Sequence, residues 1–294
     1  MKRKTFLKQV LAATPLTIAA MKLNALSQLT DNLGNTSKMP VLFLGHGSPM
    51  NAIEENEFVQ GFRNVSSAIE TPKAILVVSA HWETRGTKVT AMDHPPTIHD
   101  FGGFPKALYE VQYPALGSPA LAKEVQNIAT TTEVQLDDKW GLDHGAWSVI
   151  RHMYPKADIP VIQLSLDYYK SPQQHYELAR ELAKLRQKGV LIVGSGNIVH
   201  NLGMVHWQKL NENFGYDWAN EANDKMKKFI LEGNHHELIN FSKQGKAFDL
   251  AIPTPDHFLP LLYTLALQDK KDEISIFNDE PVGGSLTMTS VKIG

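Results

Sequence analysis

The chain has 294 residues, enough for one large domain or two small ones, and its 43% hydrophobic and 20% charged content is ordinary for a globular fold. A formal net charge of −2 gives no reason to expect nucleic acid or an anionic membrane as a partner. Cysteine is absent, which excludes disulfides, thiolate metal ligands and cysteine nucleophiles together, so a metal would have to be held by histidine, carboxylate or backbone. The twelve histidines are the main compositional clue.

Residues 1–38 read differently from the rest. Lys2, Arg3, Lys4 and Lys8 precede a weakly apolar stretch from Val10 to Met21, the layout of a secretory signal. That stretch is too short for a membrane span. Arg3-Lys4-Thr5-Phe6-Leu7-Lys8 resembles a twin-arginine export signal with Lys4 at the second arginine position. The expectation is an exported, periplasmic protein whose signal and polar linker end near Lys38, followed by one domain over residues 39–294.

Val41–Leu44 is an unbroken apolar run, the pattern of a strand buried on both faces of a parallel sheet, and it stops at Gly45-His46-Gly47. Asn56–Ile69 has helical spacing and crosses to a second apolar run, Ile75–Ala80, which ends at His81. Thr87–Met92 alternates and reads as an outer strand. Asp93 to Pro105 is long and irregular, carrying His94, His99 and Phe101, and loops of this length in a compact domain are usually functional. Pro119–Ala129 reads as helix. Trp140–Trp147 is punctuated by glycine and leads into a helix through His152. Ile159–Leu166 is a strand, Pro172–Gln187 an amphipathic helix and Val190–Val193 a third buried strand, leading through Gly194-Ser195-Gly196-Asn197 to His200. Tyr216–Asn240 is helical in two pieces, and Phe258–Leu267 is helical. Ile274–Phe277 and Leu286–Ile293 read as closing strands. The fold class expected is α/β, a single domain with a mostly parallel central sheet flanked by helices. No repeat or linker divides it, and nothing in the sequence fixes an oligomeric state.

In an open α/β sheet, sites assemble just past the carboxyl ends of the strands. His46, His81 and His200 all follow apolar runs, and His257 lies in Thr254-Pro255-Asp256-His257-Phe258. Four imidazoles from separate strand ends could converge on a metal. Each could also be a hydrogen-bonded structural residue, and no short metal motif links them.

The segments themselves carry a resemblance. Gly45-His46-Gly47-Ser48-Pro49-Met50, Ser79-Ala80-His81-Trp82-Glu83, Leu142-Asp143-His144-Gly145-Ala146-Trp147, Gly194 to Leu202 and Thr254-Pro255-Asp256-His257-Phe258, in this order, resemble the class III extradiol ring-cleaving dioxygenases of the 4,5-DOPA dioxygenase type. The resemblance spans essentially all of residues 39–294. It implies a single α/β domain with a mononuclear metal centre, with His46, His81 and His257 as metal ligands. His200 matches a further histidine at the metal, a fourth ligand or the acid–base residue, and His144 one beside the substrate. More distant class III enzymes place a glutamate where His257 stands, so their two-histidine, one-carboxylate iron site does not transfer.

The implied partners are a small catecholic substrate and dioxygen. A catechol can chelate a metal through both hydroxyls, which lowers their pKa, and a positioned histidine can move a proton. Iron(II) suits the redox step, whereas zinc has no redox chemistry yet would be held well by imidazoles. A zinc hydrolase at the same histidines and a binding protein that keeps the fold without turnover are the rival readings. Trp82 and Trp147 read as packing residues. Glu83, Asp143 and Asp256 are candidates to orient ligand histidines or to lie at the surface. Ser48 lacks the Gly-x-Ser-x-Gly elbow of a nucleophile. His99, in the long loop, is a candidate for the substrate side.

Overall fold

The computed structural model describes residues 37–210 and 212–294. The expected export signal and nearly all of its linker lie outside the described residues. Within them the chain forms a single α/β domain around an eight-stranded sheet. The strands are β1 (Val41–Gly45), β2 (Ala74–Thr84), β3 (Thr87–Thr90), β4 (Val134–Asp137), β5 (Val161–Asp167), β6 (Val190–Gly196), β7 (Ile274–Phe277), β8 (Pro281–Val282), β9 (Leu286–Thr287) and β10 (Ser290–Ile293). The large sheet runs β4-β3-β5-β2-β6-β1-β10-β7, and β8 pairs with β9 separately. Its centre, β5-β2-β6-β1, is parallel, as is the β3–β4 pair; β10 joins β1 and β7 antiparallel.

The apolar runs become parallel strands because both faces of the sheet are covered. Val41 and Phe43 face one core layer and Leu42 and Leu44 the other, and Leu76 and Val78 alternate with Ile75 and Val77 in the same way. The helices are α1 (Glu57–Ser67), α2 (Lys106–Tyr109), α3 (Pro119–Ile128), α4 (His144–Met153), α5 (Pro172–Glu181), α6 (Asp217–Leu231), α7 (His235–Ile239), α8 (Lys246–Ala251) and α9 (Leu259–Ala266). Helices α1 and α4 cover one face, whereas α3, α5, α6, α8 and α9 supply the layer on the other. Helix starts follow side-chain caps: Asn56 accepts from the Val59 N–H, Asp143 from Ala146, and Ser171 forms a capping box with Gln174.

Four features depart from the sequence reading. β2 runs on through His81 to Thr84, with a register shift against β5 between Val78 and Glu83, so His81 sits in a bulged extension of the strand. The run Leu286–Ile293 is two strands. The strands break at Met288–Thr289, where the Met288 carbonyl accepts from the Ser290 hydroxyl and Thr289 bonds Asn223 and Asp279. Pro172–Gln187 is α-helical only to Glu181 and continues as a 3₁₀ turn, Leu182–Lys188, ended by Gly189 in the left-handed region. β4, β8, α2 and α8 have no counterpart among the expected elements; they are short, and β4 buries only Val134 fully. No helix among the described residues is long and apolar enough to cross a membrane.

Candidate metal centre

The parallel pairing sets the strand ends level. Gly45 lies opposite Gly196, and Ser79 opposite Ser195. His46 follows β1, and His81 comes two residues after Ser79. The segment entering α9 reaches the same end, where the His257 carbonyl accepts from the Asn197 N–H at 3.0 Å. Gly196 permits that approach, since a Cβ there would stand 2.1 Å from the His257 carbonyl oxygen. His46, His81 and His257 thus form a compact donor group, one ligand nitrogen from each within 4.8 Å of the others. The Nε2 atoms of His46 and His81 are 3.2 Å apart. Two nitrogens each about 2.1 Å from a shared tetrahedral ion would be spaced roughly this far, so the residues fit a metal.

The other ring nitrogens are engaged, which turns the coordinating nitrogens inward. The Ser195 hydroxyl donates to the Gly145 carbonyl at 2.5 Å, so at 2.9 Å it accepts from His46 Nδ1–H and leaves Nε2 as a lone pair. Asn51 fixes the same residue through the His46 carbonyl, 3.0 Å away. His257 Nδ1 bonds the carboxylate of Asp256. His81 Nδ1 lies 3.4 Å from Asp100. Burial, with the crowding of neighbouring imidazoles, holds His46 and His81 well below the usual histidine pKa. These rings are neutral at pH 7, the form that binds metal.

His144 and His200 flank this group beside different ligands, His81 and His257. His144, the first residue of α4, packs against His81 with ring centroids 3.8 Å apart and the ring planes tilted by 48°. Its Nδ1 and its backbone N–H both reach Asp100, at 2.9 and 2.8 Å. Burial pushes the Asp100 carboxyl up, but the His144 bonds outweigh this and hold it below the usual range. His200 stacks on His257 and belongs to a second donor group with His257 and Asp256, not to the group of three. Burial and His257 push its pKa down to about 3. Asp256 lies at about 2, since its bond to His257 outweighs burial.

The remaining candidates separate cleanly. His99 Nε2 bonds the Val111 carbonyl at 2.9 Å, and Phe101 touches both His99 and His144. Trp82 stacks on Trp140, and fully buried Trp147 donates to the Ile98 carbonyl. Both pack, as expected. Asp143 is fully buried as the cap of α4, bonded to Ser79 and Gln163. Glu83 is exposed, and burial of its carboxyl and Asp256 nearby raise its pKa. Ser48 caps the short 3₁₀ turn Pro49–Ala52. A cleft of about 810 Å³ lined by Ser48, Met50, Asn51, Trp207, Leu286 and Met288 runs beside the His46 loop but includes none of the five histidines. Sequence reasoning missed Asp100 and Ser195. The only signal for Asp100 was its place beside His99 in the long loop; Ser195 was hidden between two glycines.

Comparison with known proteins agrees with this geometry. The family described as "Catalytic LigB subunit of aromatic ring-opening dioxygenase" matches residues 37–286. A protein of Escherichia coli (strain K12) named 4,5-DOPA dioxygenase extradiol is 47% identical over 268 residues, 90% of this chain and 98% of its own length. One of the same name from Beta vulgaris is 35% identical, over 89% of this chain and 97% of its own. The crystal structure of an uncharacterized Escherichia coli K12 protein superposes with a TM-score of 0.75 at 42% identity, covering 87% of this chain and all of the other.

Proposed function

We propose a substrate and a division of labour for this chain, which belongs to the LigB family of aromatic ring-opening dioxygenases and is a metal-dependent extradiol enzyme acting on a small aromatic substrate with dioxygen. The substrate is a small catechol of the DOPA type. The names of the relatives from Escherichia coli, Beta vulgaris and Mirabilis jalapa support this, and so does the site. The convergence of three imidazoles beside a carboxylate-held histidine is the observation that carries the reading. The rival hydrolase and scaffold readings have no residue set of their own here.

His46, His81 and His257 hold the ion. Iron(II), when bound, supplies the electron path between ring and dioxygen and lowers the pKa of the catechol hydroxyls, whereas zinc would occupy the same imidazoles without the redox step. His144 accepts a catechol proton at Nε2, its Nδ1–H being committed to Asp100. Phe101, edge-on to His144 at 5.5 Å, gives the substrate ring an apolar wall, and His99 supports it from behind. His200 handles a second proton and is at most a loose ligand, since it stacks on His257 outside the group of three. The names of the relatives support cleavage outside the diol. Anaerobic iron loading, then oxygen uptake with DOPA, caffeate, protocatechuate and simple catechols, tests this. The expected product is a ring-opened semialdehyde carrying both atoms of dioxygen, and no uptake with any of them would refute the catechol assignment.

We propose also that the chain is exported to the periplasm. The basic start and short apolar run support it. Mass spectrometry of protein from the native cell should find a mature start before Met39; an intact N-terminus on cytoplasmic protein would refute export.

A further inference from the structure

We propose that Asp100 is the positioning residue of this centre: its carboxylate holds the Nδ1–H tautomer of His144, keeping the Nε2 of His144 a proton acceptor beside the metal ligands. The inference rests on the acid–base reading of His144.

The bonding is specific. Oδ1 accepts the His144 backbone N–H at 2.8 Å, and Oδ2 accepts His144 Nδ1–H at 2.9 Å and lies 3.4 Å from His81 Nδ1. A carboxylate only accepts, so a ring nitrogen facing it must carry the hydrogen. In a neutral imidazole the other nitrogen is then the lone pair. One carboxylate oxygen therefore sets the tautomer of His144, with the ring of the ligand histidine His81 packed beside it. When His144 takes a proton, the imidazolium forms against a fixed negative charge.

The loop that carries Asp100 is pinned on both sides of it. Ile98 N–H donates to the Leu142 carbonyl at 2.7 Å, Leu142 N–H to Pro96 at 2.8 Å, and the Trp147 indole to the Ile98 carbonyl at 2.8 Å. Phe101 packs against Trp147 and His144. Asp143, another buried acid and the cap of α4, is already bonded to Ser79, Gln163 and the Ala146 N–H. A loop tether alone would need only the backbone bond to His144. The second oxygen, set between two rings, points to a role in the site.

The test uses the full chain with Asp100→Asn and Asp100→Glu. In zinc-loaded protein, ¹⁵N-resolved NMR of the histidine rings should show His144 protonated at Nδ1. Asp100→Asn should lose that preference, and Asp100→Glu, which keeps the charge should the amide variant fold poorly, should restore most of it. In iron-loaded protein, Asp100→Asn should lower kcat by roughly 10–100-fold with little change in KM. In a His144→Ala background the same substitution should cost at most about 2-fold, because the two act as a unit. An unchanged His144 tautomer in the folded amide variant, or full additivity with His144→Ala, would overturn the proposal. A wild-type protein that opens no catechol would defeat the substrate reading, and the zinc-loaded NMR would still decide the role of Asp100.

Discussion

The rings of His200 and His257 lie face to face, 3.5 Å between centroids and 8° from parallel. Stacked rings cannot both aim an in-plane lone pair at one ion with equal ease, and it is His257 that joins His46 and His81 in the donor group. The two histidines should therefore fail differently when removed. His257→Ala should lose the metal, since a site of few strong ligands cannot spare one. His200→Ala should keep close to one ion per chain and lose rate, by roughly the 10²–10⁴-fold of a missing acid–base group. Elemental analysis beside oxygen uptake checks both; full metal in His257→Ala would remove it from the ligand set.

Ser195 is fully buried and joins two parts of the site, accepting from His46 Nδ1 and donating to the Gly145 carbonyl. Ser195→Ala frees the His46 ring to turn and strands a carbonyl. Metal affinity should fall roughly 10–100-fold, with a loss of about 1–3 kcal/mol in stability of the metal-free protein. Chelator competition and chemical denaturation measure the two effects separately.

Much of this was legible because doubly covered parallel strands leave continuous apolar runs, and those of β1, β2 and β6 place His46, His81 and the Gly194–His200 segment at one edge. Val134–Asp137 and Lys246–Ala251 gave no usable period, being four and six residues long. Asp100 was invisible for a different reason. It meets His144 from 44 positions away, through a loop closed by backbone bonds that no spacing encodes. Ser195 looked like part of a glycine turn, whereas its hydroxyl is the partner of a ligand histidine.

His175 offers a pH test outside the centre. It is fully buried against the Tyr263 hydroxyl, 2.9 Å from Nδ1, and burial pushes its pKa down to about 4. The unfolded chain takes up that proton near pH 6.5, whereas the folded one waits until about 4. Its contribution is therefore fully present above pH 6.5 and is lost as pH falls, by up to about 1.4 kcal/mol per pH unit. The substitution His175→Asn would keep a polar atom near the position of Nδ1 and remove the titration. Between pH 6.5 and 5, this variant should lose about 1.5 kcal/mol less stability than the parent protein. Denaturant titrations at both pH values would show it, and equal losses would mean that His175 protonates freely in the folded state.

Gly145 sets how closely α4 approaches the metal ligands. A Cβ at this position would stand 2.5 Å from Ser79 Oγ and 2.8 Å from His81 Cδ2. Alanine is the better helix former by about 1 kcal/mol, so helix propensity alone predicts that Gly145→Ala stabilises. The neighbours decide otherwise. Ser79 is held by its 2.7 Å bond to Asp143, and the His81 ring packs against His144 with its Nδ1 3.4 Å from the Asp100 carboxylate. Neither can step back without breaking a bond that shapes the site. Overpacking of this kind costs about 1–3 kcal/mol, and a displaced His81 should weaken metal binding by roughly 10–100-fold. Gly102→Ala is the control, since nothing lies within 4 Å of a Cβ there. Thermal denaturation with and without metal should show Gly145→Ala losing both its own stability and most of the metal-induced gain, while Gly102→Ala keeps both. A Gly145→Ala protein more stable than the parent, with full metal affinity, would mean that α4 and His81 can separate at no cost to the centre.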